Sequence, residues 1–339
     1  MTLIHAGVSL TEHNTLGFVS TAEWYAAPRT LDECKAVLAK ARARALPITL
    51  LGGGSNVILE PFVPGLVIVP SLTDVRYEEL GPNIVRVYAG AGVDWPSLVC
   101  ETTARGLWGI ENLALIPGRC GAAPVQNIGA YGVELSDVIH AIHILYFDGR
   151  DAVITAEEAG FGYRDSVFKH ALAGQCMITA IELDLQRHAK PKLAYGPLAE
   201  HICEPCSSAD VAAAVSAVRR EKLPDPRELG NAGSFFKNPI IEASHAERLL
   251  NKYLAMPHFE AGNGLVKVPA AWLIDQCGFK GITHGTVGVH DRQALVLVNR
   301  GGGDAVALMA LAEEIQQQVE ARFGIVLEPE PRRIGQVLA

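Results

Sequence analysis

Apolar and polar positions along the chain follow two periods, and the changes of period outline its elements. From Thr30 to Ala45 the spacing predicts a helix, with Thr30 as N-cap, Glu33 at the capping-box position and Pro47 as terminator. Ile48 to Leu51 reads as a strand that stops at Gly52, Gly53 and Gly54, and the apolar run resumes at Val57, Ile58 and Leu59. That is strand, tight loop, strand. Asn83 to Tyr88 alternates as a strand, as does Ile139 to Phe147 before the Asp148-Gly149 turn and a short returning strand. Val211, Val215 and Val218 recur at helical spacing over Ser208 to Lys222, which ends before Pro224; Asp304 to Phe323 is a further helix closed by Gly324. Helices and strands mix without a strict βαβ repeat, so the class is α+β.

Three islands break these periods. The first is Leu50 to Leu59, L-L-G-G-G-S-N-V-I-L, which sets Ser55 and Asn56 after the glycines. The second, Ile116 to Glu134, spaces Gly118, Gly121, Gly129 and Gly132 among Pro117, Ala122, Ala130 and the carboxamides of Gln126 and Asn127. Small side chains leave backbone N–H groups accessible, and several aimed into one concavity suit a diphosphate such as that of a dinucleotide. Neither G-x-x-x-x-G-K-[ST] nor a helix-opening G-x-G-x-x-G occurs, so kinase, GTPase and Rossmann readings are disfavoured. Any phosphate here is held by a loop between strands, as in a flavin cradle of another kind.

The third island, N-A-G-S-F-F-K-N-P from Asn231 to Pro239, crowds a hydroxyl, two aromatics, a cation and two carboxamides beside Gly233. Two readings fit it. Ser234 is presented as a site residue, or it bonds its own backbone in an ordinary turn.

Composition narrows the classes. The net charge of −8 argues against general nucleic-acid binding, so local cations such as Arg219, Lys222 and Lys237 must hold any anionic ligand. About half the residues are hydrophobic (49%), yet no run approaches the roughly eighteen that a membrane span needs. The N-terminus shows no basic, then apolar, secretory pattern, so a cytoplasmic location is expected. Seven cysteines suit reduced thiols. Cys203 and Cys206 form C-E-P-C without a second ligand pair, so no metal is expected. The residues set no oligomeric state, and a monomer is the expectation.

These islands, with F-G-Y-R-D-S from Phe161 to Ser166, K-L-P-D-P from Lys222 to Pro226, A-A-W-L-I-D-Q-C-G-F-K-G from Ala270 to Gly281, H-D-R-Q-A-L-V-L-V-N from His290 to Asn299 and L-E-P-E from Leu327 to Glu330, closely resemble the UDP-N-acetylenolpyruvoylglucosamine reductase (MurB) family. The resemblance runs in order over nearly the whole chain. L-A-Y-G-P-L, from Leu193 to Leu198, is similar to the extra loop of the family's type I branch, which makes Tyr195 a lid residue.

The resemblance implies a two-part FAD-binding region of the vanillyl-alcohol-oxidase (PCMH) type over residues 17–187, followed by an α/β substrate-binding domain. The expected divisions are 1–72, 73–218 and 219–339, with the last residues after Ile334 returning to the first. It implies NADPH-dependent, FAD-mediated reduction of UDP-N-acetylglucosamine enolpyruvate to UDP-N-acetylmuramate for peptidoglycan, and hence roles in cell shape and division.

The same resemblance implies that Gly52, Gly53, Gly54, Ser55, Asn56, Pro117, Gly118, Gly121, Ala122, Gln126, Asn127, Gly129 and Ala130 contact FAD. Arg164 and Glu330 match positions that act on the enolpyruvyl carboxylate, and Ser234 matches the proton donor. Tyr195, Lys222, Asn238 and Gln293 match positions that hold the nucleotide sugar. For Arg164 an ion pair with Asp165 or a nearby acid is the structural alternative; for Glu330 it is an exposed acid in the E-P-E-P run. Two departures stand out. Pro331 follows Glu330 where relatives carry a β-branched residue, so this strand end is expected to be an edge or unpaired. Cys120 stands in the flavin loop where an apolar residue such as Val is usual; a buried cysteine behaves as a small hydrophobe, so little change is expected beyond a sensitivity to oxidation. A related flavin oxidase or dehydrogenase, a noncatalytic nucleotide-sugar binder and a thiol-disulfide protein are the competing functions.

Overall fold

Thr30 begins the first helix as the pattern predicts: its hydroxyl accepts from the Glu33 N–H at 3.1 Å, and Leu31–Ala43 follow as α-helix. The expected capping box is displaced by one residue. The Glu33 carboxylate accepts from the Arg29 N–H at 2.7 Å, instead of from Thr30, so it satisfies a donor just before the cap. Cys34, Val37, Leu38 and Ala41 form the buried stripe of this helix. They pack with Ala26, Leu66, Ile68, Leu145 and Met177 as one hydrophobic cluster.

The computed structural model describes residues 3–188, 190–194, 196–203 and 205–336. The chain divides into two compact units. The first comprises Met1–Val8, Ala22–Gly54 and Pro64–Glu221; the second comprises Ser9–Thr21, Ser55–Val63 and Lys222–Ala339.

In the first unit, Ile48–Leu50 runs parallel to Phe62–Ile68 within a four-stranded sheet completed by Thr21–Ala26 and His5–Ser9. A five-stranded antiparallel sheet has the order Asp151–Thr155, Ile139–Tyr146, Cys176–Gln186, Ile84–Gly90, Val75–Glu79. Its alternation is plain in Ile84–Gly90, where Val85, Val87 and Ala89 are buried while Arg86 and Tyr88 are half-buried. The buried face joins a larger cluster that includes Trp95, Leu98, Leu113, Ile142, Ile181 and Leu183. The helix Ser208–Lys222 adds Val211, Val215 and Val218 to it.

The second unit has a sheet ordered Gly230–Asn231, Leu297–Asn299, Val287–Val289, Thr283–His284 and a three-stranded sheet ordered Ile240–Glu242, Leu265–Lys267, Phe259–Gly262. Asp304 caps Ala305–Phe323 by accepting from the Ala307 N–H, and Gly324 ends that helix at φ 66°. Leu308, Leu311, Ile315 and Val319 bury its inner stripe. Val57–Leu59, which follows the first glycine loop, pairs in parallel with Arg332–Ile334. The two strands flanking that loop therefore lie in different sheets.

Gly65 has φ +77°, and a Cβ there would fall 2.3 Å from the Pro47 carbonyl oxygen. Gly65→Ala is expected to destabilise the first unit by roughly 2–4 kcal/mol, because backbone strain and a collision with main chain act together. Urea unfolding followed by far-UV circular dichroism checks this; an unchanged midpoint refutes it.

Candidate functional site

The two glycine islands of the first unit pack directly on one another. A Cβ on Gly53 would lie 2.9 Å from the Gly118 Cα, and one on Gly52 would lie 3.0 Å from the Ala122 Cβ. Residues 118–121 are fastened against 91–95: Trp95 N–H donates to Gly118, Cys120 N–H to Val93 and Gly121 N–H to Ala91. Gly121 fits there because a Cβ would come within 2.5 Å of the Ala91 Cβ. No acceptor among the described residues takes the N–H of Gly52 or Gly53. Both residues are half-buried, and their two main-chain donors are left over on a loop packed against the second island. That arrangement fits a diphosphate. Pro117 and Gln126 lie on the same island, and Gly54, at φ 67°, ends the first unit's share of the glycine loop.

The Asn127 side chain is used within the protein. It is 1% exposed in left-handed geometry (φ 42°), and its amide donates to the Glu134 carboxylate, the Ser136 hydroxyl and the Gly162 carbonyl. Its oxygen accepts from the Ser136 N–H. The side chain is thus a clamp that shapes the loop, leaving the main chain for any cofactor contact. Next to it, Gly129–Ala130 and Val133–Glu134 form a hairpin whose turn residues, Tyr131 and Gly132, both have positive φ, as a tight two-residue turn requires.

Arg164 reaches this hairpin. It sits at φ 55° in a turn closed by reciprocal Gly162–Asp165 backbone hydrogen bonds, and its guanidinium donates to the Gly129 carbonyl at 2.7 Å. The Asp165 carboxylate meets His170 at 2.8 Å. Asp165 pairs with His170, and Arg164 donates to the backbone of the second island. Ser166, buried, donates to the Val125 carbonyl at 2.7 Å and fixes the turn to the second island. Arg219, a cation the sequence offers without a place, lies near Tyr131 and Arg164; burial, then Arg164, push its pKa down.

In the second unit, Gly233 has φ +71° and receives the Asn231 side-chain oxygen on its N–H. The bend leaves Ser234 exposed while Phe235 and Phe236 are each 1% exposed. Phe235–Lys237 then pairs antiparallel with Glu328–Glu330: Glu330 N–H donates to the Phe235 carbonyl and Lys237 N–H to the Glu328 carbonyl. Ser234 and Glu330 thereby belong to neighbouring strands. Asn56 joins them, its amide donating to the Glu330 carbonyl at 3.4 Å and its own carbonyl accepting from Arg332. Of the two expectations for the strand end at Pro331, an edge or an unpaired end, the second is corrected, whereas Arg332–Ile334 does lie in a two-stranded sheet and is an edge. Glu330 is paired through both its N–H and its carbonyl, and Pro331 falls where the strand exchanges partners and needs no donor.

Gln293 and Asn238 flank this pair through the backbone. The Gln293 side chain accepts weakly from the Leu295 N–H, and Leu295 in turn accepts from the Phe235 N–H. The Asn238 oxygen accepts from the Ala270 N–H at the start of Ala270–Gln276, which leaves its amide nitrogen as donor. Lys237 is committed to Glu328 at 2.5 Å, whereas Lys222 is exposed at the end of its helix. Tyr195 lies outside the described residues.

Cys120 is fully buried, and burial pushes its thiol pKa up. It packs as a small hydrophobe in the core, and burial disfavours the reactive thiolate there. No group of His, Cys, Asp or Glu among the described residues is arranged to hold a metal.

Residues 225–334 match the family model for the UDP-N-acetylenolpyruvoylglucosamine reductase C-terminal domain, and residues 22–153 match that for an FAD binding domain. A UDP-N-acetylenolpyruvoylglucosamine reductase from Ralstonia nicotianae is 45% identical, covering 98% of this chain and 99% of its own. The chain belongs to the UDP-N-acetylenolpyruvoylglucosamine reductase family. The family's protein from Pseudomonas aeruginosa is also 45% identical, over 95% of this chain and 96% of its own. The crystal structure of the MurB reductase from Thermus caldophilus superposes with a TM-score of 0.68 at 26% identity, covering 96% of this chain and 97% of that one. A solvent-stable cholesterol oxidase shares the fold at TM-score 0.51 and 15% identity, covering 96% of this chain and 86% of its own. The reductase-family C-terminal match contains Ser234, Asn238, Gln293 and Glu330, whereas Arg164, Arg219 and Lys222 fall between the two matched regions.

Two outcomes are expected from this geometry. Gly53→Ala, which forces the glycine loops apart, should purify with well under half the wild-type flavin absorbance per protein, with the fold retained by circular dichroism; full flavin content refutes it. In native protein a chromogenic thiol reagent should label exposed Cys100 and Cys203 first and spare Cys34 and Cys120 until denaturant is added. Peptide mapping decides this, and early labelling of Cys120 counts against the buried loop.

Proposed function

We propose that this chain reduces the enolpyruvyl ether of UDP-N-acetylglucosamine enolpyruvate to UDP-N-acetylmuramate with NADPH as hydride donor, in the cytoplasm, for peptidoglycan synthesis and hence for cell shape and division. The observation that carries this is the second-unit strand pair, in which an exposed serine hydroxyl at 234 neighbours Glu330 through the Phe235–Glu330 hydrogen bond. FAD, when bound, takes up the hydride from NADPH and delivers it to the enolpyruvyl group.

The glycine loops at 52–54 and 117–122, with Ser55, Asn56, Gln126, Asn127, Gly129 and Ala130, hold FAD chiefly through main-chain donors. Arg164 binds the substrate carboxylate, for which a planar, permanently charged guanidinium is suited. Glu330 bears on the same group, and Ser234 supplies the proton to the carbon left electron-rich. Lys222, Asn238, Gln293 and Tyr195 hold the nucleotide sugar. The first unit's two hydrophobic clusters support its division into two FAD-binding subdomains near residue 72. The protein works as a monomer.

Anaerobic stopped-flow absorbance tests the reading. Wild-type holoprotein reduced by NADPH should be reoxidised rapidly by the enolpyruvyl nucleotide. Ser234→Ala should accept the hydride from NADPH at the wild-type rate and slow roughly 100-fold or more in the second half, the usual contribution of a positioned general acid. Reduced wild-type flavin that ignores the enolpyruvyl nucleotide refutes the activity; a fast second half in Ser234→Ala refutes the proton-donor role alone.

A further inference from the structure

Every polar group of Asn231 is in use, and its side chain joins two segments of the second unit. The residue is 5% exposed. It pairs with Val298 in the sheet, its N–H donates to the Thr15 carbonyl at 3.0 Å, and its carbonyl accepts from the Thr15 hydroxyl at 2.6 Å. With the backbone held on both sides, the carboxamide has one reach. Its nitrogen donates to the Pro224 carbonyl at 3.2 Å and to the Leu229 carbonyl at 2.9 Å, and its oxygen accepts from the Gly233 N–H at 2.9 Å. A carboxamide carries its donors on one atom and its acceptor on the other, so a single orientation meets all three partners.

Pro224 and Leu229 are the two ends of one turn. Within it the Asp225 carbonyl accepts from the N–H groups of Glu228 and Leu229, and the Asp225 carboxylate accepts from the Arg227 N–H. The turn begins two residues after Lys222. On the other side of the amide, Gly233 sits at φ +71° with nothing within 4 Å of a Cβ placed there, so the glycine is required by the bend and not by space. The Asn231 oxygen holds that bend, and Ser234 is the next residue. We propose that Asn231 is a positioning residue of the reduction: its oxygen sets the bend that presents Ser234, and its nitrogen sets the turn that follows Lys222. This rests on the reductase reading above, which gives Ser234 the proton and Lys222 the nucleotide sugar. One carboxamide then fixes the backbone that carries a reacting group and the backbone that carries a binding group. A misplacement of about 1 Å at a reacting group costs on the order of 100-fold.

The test compares wild type with Asn231→Ala, Asn231→Asp and Val319→Ala. Val319 is fully buried on the helix Ala305–Phe323 and controls for lost stability alone. Thermal unfolding is measured on each holoprotein, then both half-reactions by anaerobic stopped flow and nucleotide affinity by flavin absorbance. In Asn231→Ala the transfer to the enolpyruvyl nucleotide is expected to slow roughly tenfold or more beyond any slowing of hydride uptake from NADPH, and the nucleotide to bind about tenfold more weakly. Asn231→Asp keeps an acceptor for the Gly233 N–H and loses both donors, so it recovers most of the rate and little of the affinity. Val319→Ala loses thermal stability and keeps both half-reactions at wild-type speed. Unchanged rate and affinity in Asn231→Ala, an equal slowing of its two half-reactions, or the same selective slowing in Val319→Ala overturns the proposal. If Asn231→Asp does not fold, the comparison of Asn231→Ala with Val319→Ala decides alone. Wild type whose reduced flavin ignores the nucleotide overturns the reductase reading instead, and the proposal with it.

Discussion

The second unit's site depends on one backbone hydrogen bond, from the Glu330 N–H to the Phe235 carbonyl. It registers the C-terminal segment against the Ser234 loop, and the next residues extend that register to a third segment through Asn56. One such bond contributes only about 1 kcal/mol net. It holds because the same segments bury Phe235, Phe236, Leu327, Ile58 and Ile334, each contributing roughly 1.5–3 kcal/mol by leaving water. Burial supplies the strength and the hydrogen bonds supply the register. The polar side chains between the anchors, Ser234 and Glu330, are then held by residues that cannot move without opening the core. Prolines suit this strand. Pro329 and Pro331 alternate with Glu328 and Glu330, which make the bonds to Phe235–Lys237, so the missing N–H groups fall where that partner strand requires none.

The first unit is organised by strain. Of the six non-glycine residues with positive φ among the described residues, four are Leu115, Asn127, Tyr131 and Arg164. Left-handed geometry costs an L-residue roughly 1–2 kcal/mol, so these segments are held open by their surroundings. The four hydrogen bonds of the buried Asn127 side chain offset much of that cost. They tie the second island, the Glu134 side of the hairpin and the Gly162 turn to one amide. The turn that presents Arg164 and the hairpin that receives it are thus set by one residue.

Much of this was legible from the residues. The helices Leu31–Ala43, Ser208–Lys222 and Ala305–Phe323 lie where period and caps put them, because local propensity and the buried face agree. The bend at Gly233 was also readable, while for Ser234 the residues left two readings open and the structure shows it exposed. What was hidden is non-local. Glu33 answers Arg29 instead of closing a capping box, the Asn127 side chain clamps three segments, and Pro331 marks a change of strand partner. Each is decided by which distant segment arrives beside it, and no window of sequence contains that information. Gly121 makes the same point. It resembles a phosphate-loop glycine, yet a Cβ would strike the Ala91 Cβ, so its smallness serves the packing of one loop on another.

An acidic chain that binds a dinucleotide and an anionic nucleotide sugar faces an electrostatic problem that net charge does not solve. At physiological salt a charge is screened beyond about 8 Å, so the overall −8 has little say at any one ligand contact. The deciding terms are short-range. Main-chain N–H groups such as those of Gly52 and Gly53 carry only partial charge, but their stiff loop spares most of the ordering entropy that flexible lysines would lose. A buried guanidinium acts in a medium of lower effective dielectric, where the same charge is worth several times what it is at the surface. A few such short-range donors can therefore outweigh an excess of exposed carboxylates, and the surface stays free to be acidic.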